Sequence, residues 1–137
     1  QDVTVAGIAA SGMIRGGIVT VTGEISPGGS NCVGTVAFGM PPVLTGARIL
    51  IETEDGAVDK VVVPGDADIS TLNLEIVQLG DIVAFKPSAI FACGGELTGE
   101  FAFVTKPVTK GKNYKVEYAD SAATLSYAKP GLLLLVR

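Results

Sequence analysis

The chain has 137 residues, a length that suits one domain. Apolar residues make up 47% and charged residues 18%, less than the roughly 25% charged residues of an average soluble protein, and the net charge is −4. The few basic residues are scattered, which argues against a nucleic-acid partner, and no apolar run is long enough for a transmembrane helix. The low charge and a mean hydropathy of +0.48 predict a folded domain that associates with other subunits.

The chain begins with Gln1 rather than Met, which we interpret as the start of a secreted protein after removal of a signal peptide. The chain has two cysteines, Cys32 and Cys93. In a secreted protein this pair favours one intramolecular disulfide, and the alternative is two small buried thiols.

Alternation of apolar and polar residues predicts strands along most of the chain. Val19, Val21 and Ile25 alternate with polar residues, and the turn residues at 27–31 separate this strand from one over 32–38. The segment Ala47–Val63 is predicted to be a hairpin, because Asp55-Gly56 between β-rich runs is typical of a tight turn.

The second half of the chain continues the same pattern. Further strands are predicted around Leu72–Ile76, over a run in which Leu97, Phe101 and Phe103 share one face, and around Tyr114–Tyr118. No segment holds a helical period. We therefore predict an all-β domain, a β-sandwich or jelly roll of about nine to eleven short strands, with an up-and-down barrel as the alternative. No repeat of constant length is visible, so a solenoid is not expected.

Chemistry-bearing motifs are scarce. The chain has no histidine, which removes the usual catalytic triads and zinc–histidine sites, so no catalytic residue is predicted and the protein is not expected to be an enzyme. Carboxylate pairs remain, and we expect them to lie on the solvated surface. They are Asp55, Asp59, Asp66, Asp68, Asp81, Glu96 and Glu100.

Asp66 and Asp68 form a D-x-D loop after Pro64-Gly65. Two carboxylates in such a loop are compatible with a calcium site, although the glycine and distal glutamate of an EF-hand loop are missing. Calcium is the only cofactor that the sequence leaves open.

Tyr114, Tyr118 and Tyr127 are the candidates for a carbohydrate-stacking surface, since the chain has no Trp. Tyr114 and Tyr118 share a face with Val116, which favours a place in the core instead.

Two segments near the ends of the chain, residues 3–14 and 132–136, are apolar and uncharged. Val3 to Ile14 contains no charged residue and is long enough for an extended arm that pairs with the sheet edge of a neighbouring subunit. The alternative is an ordinary first strand of the same domain. The terminal run Leu132–Val136 shows no alternation, so it is either a strand covered on both faces or a second contact between subunits.

A processed amino terminus, an apolar arm and a β-rich body without His or Trp together resemble extracellular fibre subunits joined by donor-strand exchange. Archaeal bundling pili and the related bacterial biofilm-matrix fibre proteins are the nearest group. The resemblance implies an N-terminal arm at residues 1–14, a body at residues 15–137 and a filament of identical subunits. The predicted assembly residues are Val3, Val5, Ile8, Met13 and Ile14.

The predicted function is therefore a structural subunit of an extracellular homopolymeric filament, a pilus or matrix fibre, whose arm inserts into the next copy. The alternatives are a viral capsid or decoration protein, which shares the apolar β-rich character but forms closed or lattice contacts, and a secreted carbohydrate-binding module.

Overall fold

The computed structural model describes residues 2–80, 86–107 and 113–128. Within these ranges the chain forms fourteen strands in three sheets and no helix. Sheet I contains β1 (Val3–Ile8), β3 (Val19–Ile25), β5 (Arg48–Glu54), β6 (Ala57–Val58), β9 (Asn73–Gln78) and β12 (Phe103–Thr105). Sheet II contains β2 (Gly12–Ile14), β4 (Thr35–Phe38), β7 (Lys60–Val63), β10 (Ser88–Cys93), β13 (Asn113–Tyr118) and β14 (Ala122–Ala128). Sheet III contains β8 (Ala67–Asp68) and β11 (Leu97–Thr98).

The strands wind as a parallel solenoid. The spatial order of sheet I is β1-β3-β5-β9-β12, every neighbouring pair in this path is parallel, and the chain visits sheet II between successive strands. In sheet II, β2, β4, β7 and β10 are likewise parallel neighbours. Each coil of the chain therefore adds one strand to both main sheets.

Apolar residues at equivalent positions of successive coils form the core. In sheet I the ladder aligns Ile8, Ile25, Ile49, Leu74 and Val104, and the three middle residues of this row are fully buried or nearly so. Each coil places an apolar side chain at the same position along its strand, so these side chains form a row across the sheet. The rows of the two main sheets pack against each other and form one core.

The parallel pairing contradicts the jelly-roll prediction, because a jelly roll is built from antiparallel strands. The expectation against a solenoid is also wrong. Coils differ in length: Val3 pairs with Val19, whereas Asn73 pairs with Phe103 nearly twice as far along the chain. Since the coil corners vary in length, the sequence shows no repeat of constant period even though the strands stack.

The Asp55-Gly56 turn is confirmed, but the hairpin is much shorter than predicted. Only Thr53–Val58 and Glu54–Ala57 pair in antiparallel fashion, and Gly56 has a positive φ of 83°. After Val58 the chain leaves sheet I, and β7 joins sheet II as a parallel strand. The hairpin turn therefore serves as one corner of a coil.

The predicted strand through Leu97, Phe101 and Phe103 is divided in two. Gly99, with a φ of 80°, lies between β11 of sheet III and β12 of sheet I. A bend at Ala102 separates the two aromatic residues, which have opposite environments: Phe101 is buried, while the Phe103 side chain is 73% exposed.

Candidate assembly interface at the ends of the solenoid

The first coil, which we define as residues 3–14, is attached to the body mainly by its backbone. β1 pairs in parallel with β3, and β2 pairs with β4. Additional backbone bonds run from Val3 N to Ile18 O at 3.0 Å and from Ser26 N to Ile8 O at 2.7 Å. The predicted extended arm is therefore not confirmed, since this segment is the first turn of the solenoid.

The side chains of β1 are less buried than those of the central strands β3, β5 and β9 of sheet I. Four of the six β1 residues are exposed, and only Val5 and Ile8 are partly buried against the core. Of the other predicted assembly residues, Val3 is 48% exposed, Met13 is 52% exposed, and Ile14 is partly buried. A recess of about 60 Å³ lies among Ile8, residues 10–14 and Val36, so β2 packs loosely over the core.

The corner of the first coil rests on the loop at residues 26–34. Gly28 N donates to Ala10 O at 3.0 Å. A Cβ on Gly34 would collide with the Ser11 hydroxyl and with the backbone of Gly28, so the loop passes too close for any larger residue there. The position of the first coil thus depends on the shape of this loop.

Two buried carboxylates hold that loop in place. Asp59 Oδ1 accepts a hydrogen bond from Gly34 N at 2.7 Å, and Asp59 Oδ2 accepts one from Glu52 N at 2.8 Å. The Glu52 carboxylate accepts from Asn31 N at 2.8 Å and from Cys32 N at 3.2 Å. Both acids bind backbone N–H groups that would otherwise be unpaired, which explains how two acidic side chains lie in the interior.

Asp59 is fully buried and Glu52 is 4% exposed, so the predicted solvated position of Asp59 is wrong. The pKa of Asp59 is raised to about 6, mainly because the side chain is buried. The two backbone donors oppose this rise, and the nearby Glu52 and Glu54 carboxylates add to it. Glu52 lies within β5, three residues before the Asp-Gly turn, and the alternation of the strand gave no sign that this side chain is buried.

The opposite end of sheet I is also unpaired within the described ranges. β12 pairs with β9 on one side and has no described strand on the other. Phe103 lies on the outward face of this edge, in the row that runs through Gly7, Glu24, Arg48 and Asn73. An exposed aromatic ring on a free sheet edge is a feature of interaction surfaces.

The middle of that outward row is polar. The Arg48 guanidinium forms an ion pair with Glu24 and a second one with Glu75 at 2.9 Å. Charged residues therefore cover the centre of sheet I, whereas the row ends in a glycine at one end and in Phe103 at the other.

Asp66 and Asp68, the calcium candidates, each accept a hydrogen bond from a backbone N–H group. Asp66 Oδ1 accepts from Glu96 N at 2.8 Å, and Asp68 Oδ1 accepts from Ser70 N at 2.9 Å. Hydrogen bonding from the Ser70 side chain and, to a smaller extent, from its backbone N–H lowers the pKa of Asp68. Both aspartates line a cleft of about 250 Å³ together with apolar residues of the 41–45 loop. Within the described ranges no group of three or more potential metal ligands comes together. Asp66 thus holds the corner between sheets II and III, whereas Asp68 holds the turn from sheet III to sheet I.

The predicted disulfide is absent. Cys32 is an exposed thiol on the loop before β4, whereas Cys93 is a buried thiol at the end of β10, and both are free. The Cys93 sulfur instead lies 3.5 Å from Gly95 O. The two residues are parts of different coils, and nothing in the sequence spacing indicated this.

The tyrosines do not form an exposed stacking platform. Tyr114 is 2% exposed, its hydroxyl donates to Gln78 Oε1 at 2.6 Å, and its ring lies 4.5 Å from that of Tyr127. Tyr118 packs against Phe101 at a ring separation of 6.1 Å. These rings close the core beneath β13 and β14, as the alternative interpretation predicted.

Two predictions concern residues beyond the described ranges. The terminal run Leu132–Val136 and the carboxylate of Asp81 both lie outside them. The part of the chain that is described contains no helix long and apolar enough to cross a membrane.

Comparison with known proteins adds no family assignment. No family model matches the chain, and the searches of curated proteins and of solved structures also return no match.

Proposed function

We propose that this protein is a structural subunit of an extracellular homopolymeric filament whose copies join head to tail through the first coil. The main support for the proposal is the strand direction at the two edges of sheet I, as far as the chain is described. β1 and β12 are the two terminal strands of sheet I and run in the same direction. A copy translated along the solenoid axis therefore brings its β1 to β12 with the correct orientation for a parallel ladder.

Such a contact joins two different surfaces, so it does not close on itself as a two-fold dimer does. Repeated head-to-tail contacts give either a ring or an open fibre, and a translation along the axis gives a fibre. The low charge of the chain also supports association with other copies.

Sheet edges that remain free are prone to pair with other chains, and proteins that stay monomeric usually block them with charge, proline or a covering loop. β1 carries no charged residue and no proline, and neither does β12. Within the described ranges, the two terminal strands of sheet I therefore present outer edges with neither charge nor proline.

The test is electron microscopy and sedimentation of the full chain at increasing concentration. We expect unbranched filaments, with a threshold concentration below which only monomer is found. A variant without residues 1–14 should not polymerise, and its thermal unfolding should confirm that the body is still folded. Ala57→Ser, a change at the exposed turn of a central coil, should polymerise like the unmodified chain. A full chain that stays monomeric at every concentration would disprove the proposal.

A further inference from the structure

The two main sheets contain different numbers of stacked strands. Sheet I has five strands along its stacking path, whereas sheet II has six, in the order β13-β14-β10-β7-β4-β2. β14 is antiparallel to β10, and β13 is antiparallel to β14, so β13 runs in the same direction as β2, β4 and β7. Sheet II therefore extends one strand beyond β12.

This difference constrains any head-to-tail joint. If β1 of a second copy pairs with β12, strands spaced by about 4.8 Å would place β2 of that copy at the position of β13. Two strands cannot occupy one position, so either β2 or β13 must move.

β2 is the weaker of the two strands. It has three residues, two of them exposed, and it covers the small recess over Val36. β13 has six residues, all of which pair with β14, and its Tyr114 is buried. Displacing β2 breaks only the short strand pairing between β2 and β4, whereas displacing β13 would expose the core.

We propose that in the filament β12 of one copy pairs with β1 of the next copy, while β13 of the first copy takes the place of β2 on β4 of the next. This inference rests on the proposed function and specifies its joint. Each subunit then contributes five strands to each sheet, both sheets continue without interruption, and every new strand pair is parallel. Residues 12–14 are released, whereas β1 stays on its own β3.

The side chains at the two ends fit this register. Val104 and Ile8 are the terminal, partly buried members of the same inward row, and the joint places them side by side. In the outward row Phe103 meets Gly7, which has no side chain, so the ring can lie flat over the glycine. Aromatic residues commonly cover a cross-strand glycine in this way.

A cysteine pair tests the contact between β12 and β1. In a Cys32→Ser, Cys93→Ala background, Ala9→Cys and Thr105→Cys occupy the next outward position of the proposed ladder, and both native residues are exposed. Paired Cα atoms on neighbouring strands are close enough for a disulfide. Oxidised filaments should therefore give a ladder of covalent oligomers on a denaturing gel. Thr4→Cys with Thr105→Cys is out of register and should give none.

A second pair of variants tests the release of β2. Met13→Cys with Ala37→Cys joins register partners of β2 and β4, so oxidation should prevent polymerisation and reduction should restore it. Thr4→Cys with Thr20→Cys joins β1 to β3, and this variant should polymerise whether oxidised or reduced. If the whole arm had to leave its own subunit, oxidation would block the second variant as well.

The outcomes separate the joint from the proposed function. Filaments that give no covalent ladder, or that form with β2 locked to β4, would overturn this joint and leave the filament proposal standing. A chain that forms no filaments at all would overturn both. If the Ala9–Thr105 bond forms only when the chain is ended at Ala128, the chain's own residues 129–137 occupy the β12 edge, and the joint is wrong for the full chain.

Discussion

The first coil and the central coils use the same parallel pairing, yet they differ in burial. In β5 the side chains of Ile49 and Ile51 are fully buried, whereas most β1 side chains are exposed. A central strand has a neighbour on each side, but among the described strands β1 has one only on its β3 side. In a solenoid each coil is stabilised mainly by its nearest neighbours, so the terminal coil is the weakest part of the fold and also the part available to another copy.

The largest effect expected from this difference in burial is on the stability lost when a core side chain is truncated. Ile49→Ala removes a fully buried side chain and should lower the free energy of unfolding by about 2–5 kcal/mol. Ile8→Ala, in the same inward row but at the open end, should cost less than about 1.5 kcal/mol, because this side chain is only partly buried. Urea unfolding of both variants measures the two values.

Equal losses for Ile49→Ala and Ile8→Ala would contradict the comparison, because they would mean that the first coil is as well packed as the third. Above the threshold for filaments the loss at Ile8 should increase, since the joint buries this side chain. Measurements below the threshold provide the control.

A smaller effect concerns the acid pair that holds the loop beneath the first coil. Because the pKa of Asp59 is raised from 3.8 to about 6, the folded state binds a proton more tightly than the unfolded chain does. The stabilising contribution of this proton is complete below about pH 4 and is lost as the pH rises through about 6. The free energy of unfolding should therefore fall over this range by at most about 3 kcal/mol from this group.

Asp59→Asn is the matched variant for that pH dependence. Its amide accepts only through one oxygen, so one of the two N–H groups of Gly34 and Glu52 loses its acceptor and the protein should be less stable at every pH. The fall in stability between pH 4 and 6 should become shallower than in the unmodified protein. An unchanged slope in urea titrations at several pH values would show that Asp59 does not titrate near 6.

The smallest expected effect lies at the Asp55-Gly56 turn of the third coil. Gly56 has a φ of 83°, so Gly56→Ala should destabilise the protein by about 1 kcal/mol. No heavy atom lies within 4 Å of the added Cβ, so the loss comes from backbone strain and not from a clash. A change in thermal midpoint comparable with that of Ile49→Ala would contradict this explanation.

The sequence predicted strands well and their partners poorly. The alternation of Val19, Val21 and Ile25 and the Asp-Gly turn are local signals, and both correspond to observed structure. Which strand lies beside which depends on where the chain crosses between sheets. Those crossings are made by corners such as the one held by Asp59, whose carboxylate is bonded to a loop residue far away along the chain.

Of the two edges in the proposed joint, the sequence indicated only the first coil, through the uncharged run at residues 3–14. The second predicted contact, Leu132–Val136, lies outside the described residues, and nothing marked Phe103. Its alternation with Leu97 and Phe101 suggested a shared face, but Gly99 separates Leu97 from the two aromatic residues and a bend at Ala102 separates Phe101 from Phe103. Exposure of Phe103 follows from the chain entering a different sheet, a property that no short window of sequence contains.

The amino-acid sequence by itself determined that this protein is all-β, that it lacks the histidine-based chemistry of most catalytic sites, and that residues 3–14 form a mainly apolar, uncharged run. These properties depend on composition and on alternation along single strands. Only the tertiary structure decided that the strands stack in parallel coils, that Asp59 and Glu52 are buried, and that the cysteines lie apart. Each of these depends on contacts between coils of unequal length, because the length of a corner, and not the pattern of a strand, decides which residues meet.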